Sequence, residues 1–157
     1  AEMAENLLRI RDLQDRTGLF GSFVPCPTGR RSPGDPMRPT QLEVGKSPSA
    51  YLHLRLVAAA RCALDNIAHI ESGWELQGAK IGEVALRSGA DDWGSTGINL
   101  ASGPARPAPL IAVEEIERIV RDAGFSPWPR NGQHGCVPAE MMLNRRRMGG
   151  QVLTLVR

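Results

Sequence analysis

IAHIESGWELQGAKIGEVALRSGADDW, residues 67–93, is the stretch whose reading decides the fold. Residues 67–73, IAHIESG, fit a short strand. A helix is expected over 78–88, with Ile81, Val84, Ala85 and Ser88 inward and Gly89 as its stop. A very short strand fits at 90–93. Strand, helix and strand at this spacing form a parallel β/α unit.

The same alternation extends to both sides. Upstream, residues 3–16 read as a helix with Leu7, Ile10 and Leu13 on one face. LFGSFVPCP, residues 19–27, suggests a short buried strand around Phe20, Phe23 and Val24, ended by Pro25 and Pro27. Residues 49–66 make a helix on Leu52, Leu56, Ala59, Ala60 and Ala63, with Ser47 or Ser49 as its cap. Downstream, residues 113–123 are amphipathic: Val113, Ile116, Ile119 and Val120 face inward, with early Glu and late Arg suiting the helix dipole. Residues 28–49 and 97–112 read as long loops. The expected order is α-β-α-β-α-β-α, an α/β fold with about three parallel strands. Three strands are few for a free parallel sheet, which needs both faces covered, so the chain reads as part of a larger β/α sheet or barrel.

The composition excludes several classes. The chain has 157 residues, 41% of them hydrophobic and 23% charged, which is globular and not disordered. A net charge of +2 gives no argument for nucleic acid. Of 19 basic residues only Lys46 and Lys80 are lysines. Cys26, Cys62 and Cys136 lie far apart, so they form neither a disulfide framework nor a metal-binding pair. No apolar run approaches the ~20 residues of a membrane span, and no signal-peptide core opens the chain; a reducing cytoplasm is the default expectation. The segment from Ser126 onward is basic and includes Arg145–Arg147, read as a solvated tail or an anion site. VLTLV, residues 152–156, suits a strand with no evident partner.

Three places carry candidate chemistry, all at expected strand ends, where the loops of β/α barrels converge on their sites. They are Ser72-Gly73-Trp74, the run Asp91-Asp92-Trp93-Gly94-Ser95-Thr96, and Phe23-Val24-Pro25-Cys26-Pro27. Adjacent aspartates on a strand point to opposite faces, so Asp91 and Asp92 do not serve one substrate atom. One of them either holds a ribose hydroxyl or caps a turn before Gly-Ser-Thr. Trp74 and Trp93 either stack on a ligand ring or pack in the core. Gln77-Gly78 opens a helix whose free amides either meet a polar ligand or are simply capped. His53, His69 and His134 stand isolated in the sequence and read as non-catalytic, and Cys26 reads as inert.

Four blocks then resemble one family, in order and correctly spaced. They are LLRIRDLQDRTGLFGSFVPCP (7–27), RCALDNIAHIESGW (61–74), QGAKIGEVALRSGADDWGST (77–96) and EEIERIVRDAGFSPWPRN (114–131). These resemble the C-terminal half of the radical S-adenosylmethionine (SAM) enzymes of menaquinone biosynthesis by the futalosine pathway and of the related deazaflavin-cofactor synthases. The Gly-Ser-Thr after the aspartates is most similar to the branch that cyclises dehypoxanthine futalosine.

The resemblance implies a TIM-type β/α barrel, with residues 1–131 as a C-terminal half-barrel and 132–157 as a divergent basic tail. It implies an oxidoreductase of the radical SAM class, using SAM and a [4Fe–4S] cluster. The family's carbon radical takes a hydrogen from the substrate ribose, and the sugar radical adds to an aromatic ring. The family's Cys-x3-Cys-x2-Cys cluster motif is absent here, so this chain alone is expected to hold neither group. Its implied partners are a nucleoside-type small molecule and an N-terminal half carrying the cluster cysteines, with no nucleic acid and no membrane. The substrate contacts implied are Trp74, Gln77, Asp91, Asp92, Ser95 and Thr96. The family's Met and acidic pair after Gly-Ser-Thr are replaced by Gly97-Ile98-Asn99-Leu100. A non-catalytic remnant or interaction module, or half of a sister synthase, is the competing reading.

Overall fold

Alternating helices and strands organise the chain, as a computed structural model shows for residues 2–25, 49–95, 111–137 and 153–156. The elements are α1 (Glu2–Thr17), β1 (Ser22–Phe23), α2 (Ala50–Ala63), β2 (His69–Ile70), α3 (Trp74–Gln77), α4 (Ala79–Arg87), β3 (Asp92–Ser95), α5 (Val113–Asp122), β4 (Pro127–Arg130) and β5 (Leu153–Val156). Most of the two expected long loops, 28–49 and 97–112, lies outside the described residues, as do Cys26 and Arg145–Arg147. Among the described residues no helix is long and apolar enough to cross a membrane.

The parallel β/α core is present. Ser22 pairs with His69 and Phe23 with Ile70 in parallel register, and a parallel bridge joins Glu71 to Asp92. The bonds Glu71 N to Phe23 O, Asp91 N to Ile70 O and Ser72 N to Asp92 O knit β1, β2 and β3 together. The sheet is not wholly parallel, however. β5 runs antiparallel between β3 and β4, with Asp92 opposite Leu155 and Arg130 opposite Leu153. VLTLV thus finds two partners. β4 carries two prolines in four residues, a composition that argues against a strand. It survives as the outermost strand of this group: Pro129 turns its missing N–H away from β5, and on that outer side its carbonyl accepts from Val137 N.

The helices cover one face. Leu7, Val57, Ala60, Leu64, Ile67, Ile70, Trp74, Ala85, Leu86, Trp93, Ile116, Ile119 and Val120 form one buried cluster. α5 buries three of the four expected residues, Ile116, Ile119 and Val120, while the fourth, Val113, is partly buried and packs on Val137. α2 is capped by Ser49, whose Oγ accepts from Leu52 N. Its buried stripe is His53, Val57 and Ala60, and Leu52 is exposed. The stripe is displaced from the expected one because His53 is satisfied inside, its Nε2 2.8 Å from Ser72 O. In α4 the buried residues are Gly82, Ala85 and Leu86, and Val84 is exposed. Gly82 has no side chain, and the two tryptophans fill the space beside it. On α1 only Leu7 is buried, and Leu13 is exposed.

Candidate functional site

Ile70 and Trp93 point into the helix-covered core. Side chains alternate along a strand, so Glu71 and Asp92, directly paired across β2 and β3, turn to the other face. There they meet Arg130 from the end of β4. Arg130 Nη2 lies 2.5 Å from Asp92 Oδ2 and 3.5 Å from Glu71 Oε1. Asp92 is fully buried and the Arg130 side chain is 4% exposed. His134 closes the group, its Nε2 3.2 Å from Asp92 Oδ2.

The turn after Asp92 depends on glycine. Gly94 N donates to Asp92 Oδ1 at 2.9 Å. Gly94 has φ +99, and a Cβ there would stand 3.2 Å from Glu75 Oε1 and 3.4 Å from Glu71 Oε2. Asp92 therefore caps the turn at Gly94, one of the two roles expected of this pair, and it also anchors a buried polar cluster.

Electrostatics set Glu71 apart. Burial, with Asp92 and Glu75 nearby, raises its carboxyl to about 7 against the partial relief of Arg130. A carboxyl that exchanges its proton near neutrality can hold or accept one at working pH. The His134 imidazole is shifted the other way, below the usual histidine value, by burial first and then by Arg130.

Asp91 has a different set of partners. It takes the Arg61 guanidinium from α2, His69 Nδ1 at 2.8 Å and Ile70 N at 2.8 Å. Arg61 also donates to Gly89 O and Ala68 O. The two aspartates share no partner, in keeping with the expectation that they do not act on one atom. Asp91 ties α2 to the strands.

The other residues of interest lie as follows. Trp74 is 1% exposed and Trp93 fully buried, their rings stacked with centroids 5.8 Å apart. Gln77 ends the short α3 and is half-buried. Ser95 ends β3 opposite Leu153. Thr96 lies outside the described residues. Ser72 is fully buried, its Oγ donating to Trp93 O at 2.9 Å. Of the expected contacts, Asp92 joins the buried polar cluster. Glu71 and Arg130 are not among the sequence candidates, and His69 and His134 read there as non-catalytic. A signal for Glu71 existed in its register with Asp92, and Arg130 lay in the last of the four blocks. Nothing in the sequence marked His134.

The donors do not suit an iron–sulfur cluster. Three thiolates would have to converge. Cys62 is exposed on α2, Cys136 is exposed after β4, and Cys26 is outside the described residues. Among the described residues no group of three or more His, Cys, Asp or Glu is arranged for a metal ion.

Comparison with known proteins gives one consistent result. Residues 35–142 match the family model described as the CofH/MqnC C-terminal region. A cyclic dehypoxanthine futalosine synthase of Streptomyces coelicolor is 35% identical over 132 residues, covering 83% of this chain and 31% of that protein. A protein of the same name from Halalkalibacterium halodurans is 34% identical over 131 residues, covering 82% and 33%. An aminodeoxyfutalosine synthase of Streptomyces coelicolor is 29% identical over 139 residues, covering 83% and 35%. The chain thus spans about a third of the length of these relatives. No solved structure matches.

Proposed function

The chain belongs to the CofH/MqnC C-terminal family, and from that premise we propose that it is the substrate-side half of a radical SAM enzyme of menaquinone biosynthesis, acting on dehypoxanthine futalosine. The observation that carries this is the similarity to two cyclic dehypoxanthine futalosine synthases over more than four-fifths of the chain. In the whole enzyme the cluster and SAM, when bound, supply the radical. The residues described here do not fit the cluster, so an N-terminal half is proposed to hold it. A cytoplasmic location and a nucleoside-type substrate go with this reading.

The role of this chain is to shape and polarise the substrate wall. Asp92 and Arg130 fix one another by a buried, charge-assisted contact. Their rigidity orients whatever polar group of the substrate meets them, which is how positioning lowers a barrier. Glu71 beside them exchanges a proton near neutrality and is suited to take one from the substrate. Gln77, Ser95 and Thr96 follow the same strand and helix ends and are proposed to line the rim. Trp74 supports the wall from behind.

The replacement of the family's Met and acidic pair after Gly-Ser-Thr by Gly97-Ile98-Asn99-Leu100 favours a second reading, a non-catalytic relative. One experiment separates them. The native product is purified from its source cells with an antibody to this chain. It is then reconstituted anaerobically with iron, sulfide, SAM and reductant, and offered dehypoxanthine futalosine. Formation of the cyclic product supports the proposal. Turnover only with the substrates of the aminodeoxyfutalosine or deazaflavin synthases moves the chain to a sister activity. No turnover with any of them supports the non-catalytic reading.

A further inference from the structure

The turn between Arg130 and Cys136 is closed by its own side chain. Asn131 Oδ1 accepts from Gln133 N and Gly135 N, each at 2.9 Å. Asn131 N donates to Gly135 O at 2.9 Å, and His134 N donates to Asn131 O at 3.2 Å. This winding holds His134 at φ +61, the one positive φ among the described non-glycine residues. A residue with a Cβ is rarely found there, and the surrounding structure must impose it. The consequence is the placement of one ring. The His134 imidazole lies flat on that of His69, centroids 4.4 Å apart and planes 10° apart, with Nε2 on Asp92.

The partners determine where the proton sits. Asp92 already accepts from Gly94 N through Oδ1 and from Arg130 through Oδ2. Toward His134 it is again an acceptor, so Nε2 carries the hydrogen. Burial first, and then the neighbours, keep the ring from taking a second one. Arg130 from β4 and His69 from β2 are basic groups against it; Asp92 from β3 opposes them, with Glu71 just after β2 and, through His69, Asp91 further off. The neutral ring then has a lone pair on Nδ1. Among the described residues Nδ1 has no hydrogen-bond partner. On that side lies Gly21, which has no side chain of its own; a Cβ there would be in van der Waals contact with the ring, 3.7 Å from Nδ1.

We infer that His134, set in one tautomer by Asp92, is a ligand-binding residue that offers Nδ1 as a hydrogen-bond acceptor to a sugar hydroxyl. Asp92 is its positioning residue, in the way a buried aspartate fixes an imidazole so that its far nitrogen faces the substrate. The identity of the sugar as the ribose of a nucleoside-type substrate rests on the function proposed above. The tautomer and the unpartnered Nδ1 rest on the geometry, and the neutral ring on burial and its basic neighbours.

The test is long-range proton–nitrogen NMR on the 15N-labelled 157-residue chain, whose three histidines are assigned with His69→Gln and His134→Gln. At pH 7 His134 is expected neutral, with hydrogen on Nε2. In Asp92→Asn that preference is expected to fall. Should that variant not fold, His69→Phe keeps the stacked surface, removes the second base and is expected to move the His134 midpoint upward. Hydrogen found on Nδ1, or a charged ring at pH 7, overturns the inference. Next, dehypoxanthine futalosine, and separately uridine against 2′,3′-dideoxyuridine, are titrated in. A shift of Nδ1 with the hydroxyl-bearing probes but not the dideoxy one supports it, and His134→Gln should then weaken Kd by about five- to tenfold. If uridine moves Nδ1 and dehypoxanthine futalosine moves nothing, the inference stands and the proposed substrate falls. If neither moves Nδ1, the inference is overturned.

Discussion

Arg130 Nη2 and Asp92 Oδ2 stand 2.5 Å apart, and neither side chain is more than 4% exposed. Removing one partner of such a pair leaves the other charge buried without compensation, while removing both together does not. Arg130→Met is therefore expected to lower stability by about 3–5 kcal/mol. The double variant Asp92→Asn with Arg130→Met should lose clearly less than the two single changes added. Urea unfolding with linear extrapolation gives all the values. Strictly additive losses would show that the pair is not coupled.

Glu71 gives the site its own pH dependence. Its carboxyl is raised from 4.5 to about 7, so the folded chain holds this proton more tightly than the unfolded one. Between those values the folded state binds more protons, and stability falls as pH rises. The contribution is intact below about 4.5 and lost above about 7. Glu71→Gln keeps the neutral shape and should be more stable than the parent at pH 8, by up to about 3 kcal/mol. The gap should close toward pH 4.5. A constant difference across that range would mean that Glu71 titrates normally.

His134 acts in the opposite sense. Its imidazole is lowered, so below about 6.5 the unfolded chain takes up the proton first and the folded state loses stability as pH falls. His134→Gln removes this loss, so the variant should fall less steeply than the parent between pH 6.5 and 5. The reading is the slope of urea midpoint against pH. An unchanged slope would place the titrating histidine elsewhere.

Asp91 and Asp92 should separate by phenotype. Asp91 joins Arg61, His69 and the Ile70 amide, all about one-third exposed or less. Asp91→Ala loses these and strands a backbone N–H, for about 1–2 kcal/mol after solvent screening. It should leave substrate affinity of the whole enzyme nearly unchanged. Asp92→Asn should weaken turnover while the chain still folds. Equal effects on turnover would contradict the separate roles.

Much of this was legible from periodicity. The helices over 78–88 and 113–123 and the strands at 67–73 and 90–93 stand within a few residues of where hydrophobic spacing put them. What sequence missed has physical reasons. Two prolines hid β4, which tolerates them only because its outer edge needs no donors from those positions. β5 pairs with strands far away in sequence, and a short apolar run does not reveal its partner. The same holds for the site. Asp92 was visible as one of an acidic pair, but Arg130 and His134 reach it across 38 and 42 positions, where no local pattern operates. Trp74 is an aromatic at a strand end; only burial decides between packing and stacking on a ligand, and here its ring packs on Trp93.

Gly82 tests that packing directly. A Cβ on it would stand 2.6 Å from Trp74 Cβ and 3.2 Å from Trp93 Cη2. In an exposed helix Gly→Ala gains up to about 1 kcal/mol in propensity. Here the clash is with an atom attached to the backbone and with a fully buried ring, neither of which can swing aside. Overpacking at about 1–3 kcal/mol should win, so Gly82→Ala is expected to be destabilising. Gly132 is the control, with no atom within 4 Å of its Cβ position, and Ala there should be neutral. Iodide quenching adds a second reading. Trp128 is 43% exposed and should carry nearly all of the quenchable emission, while Trp74 and Trp93 stay protected. In Gly82→Ala the two rings are forced apart, so a protected tryptophan should become quenchable. If Gly82→Ala is as stable as the parent and its emission equally protected, the two rings accommodate a Cβ at Gly82 and the packing there is looser than these distances require.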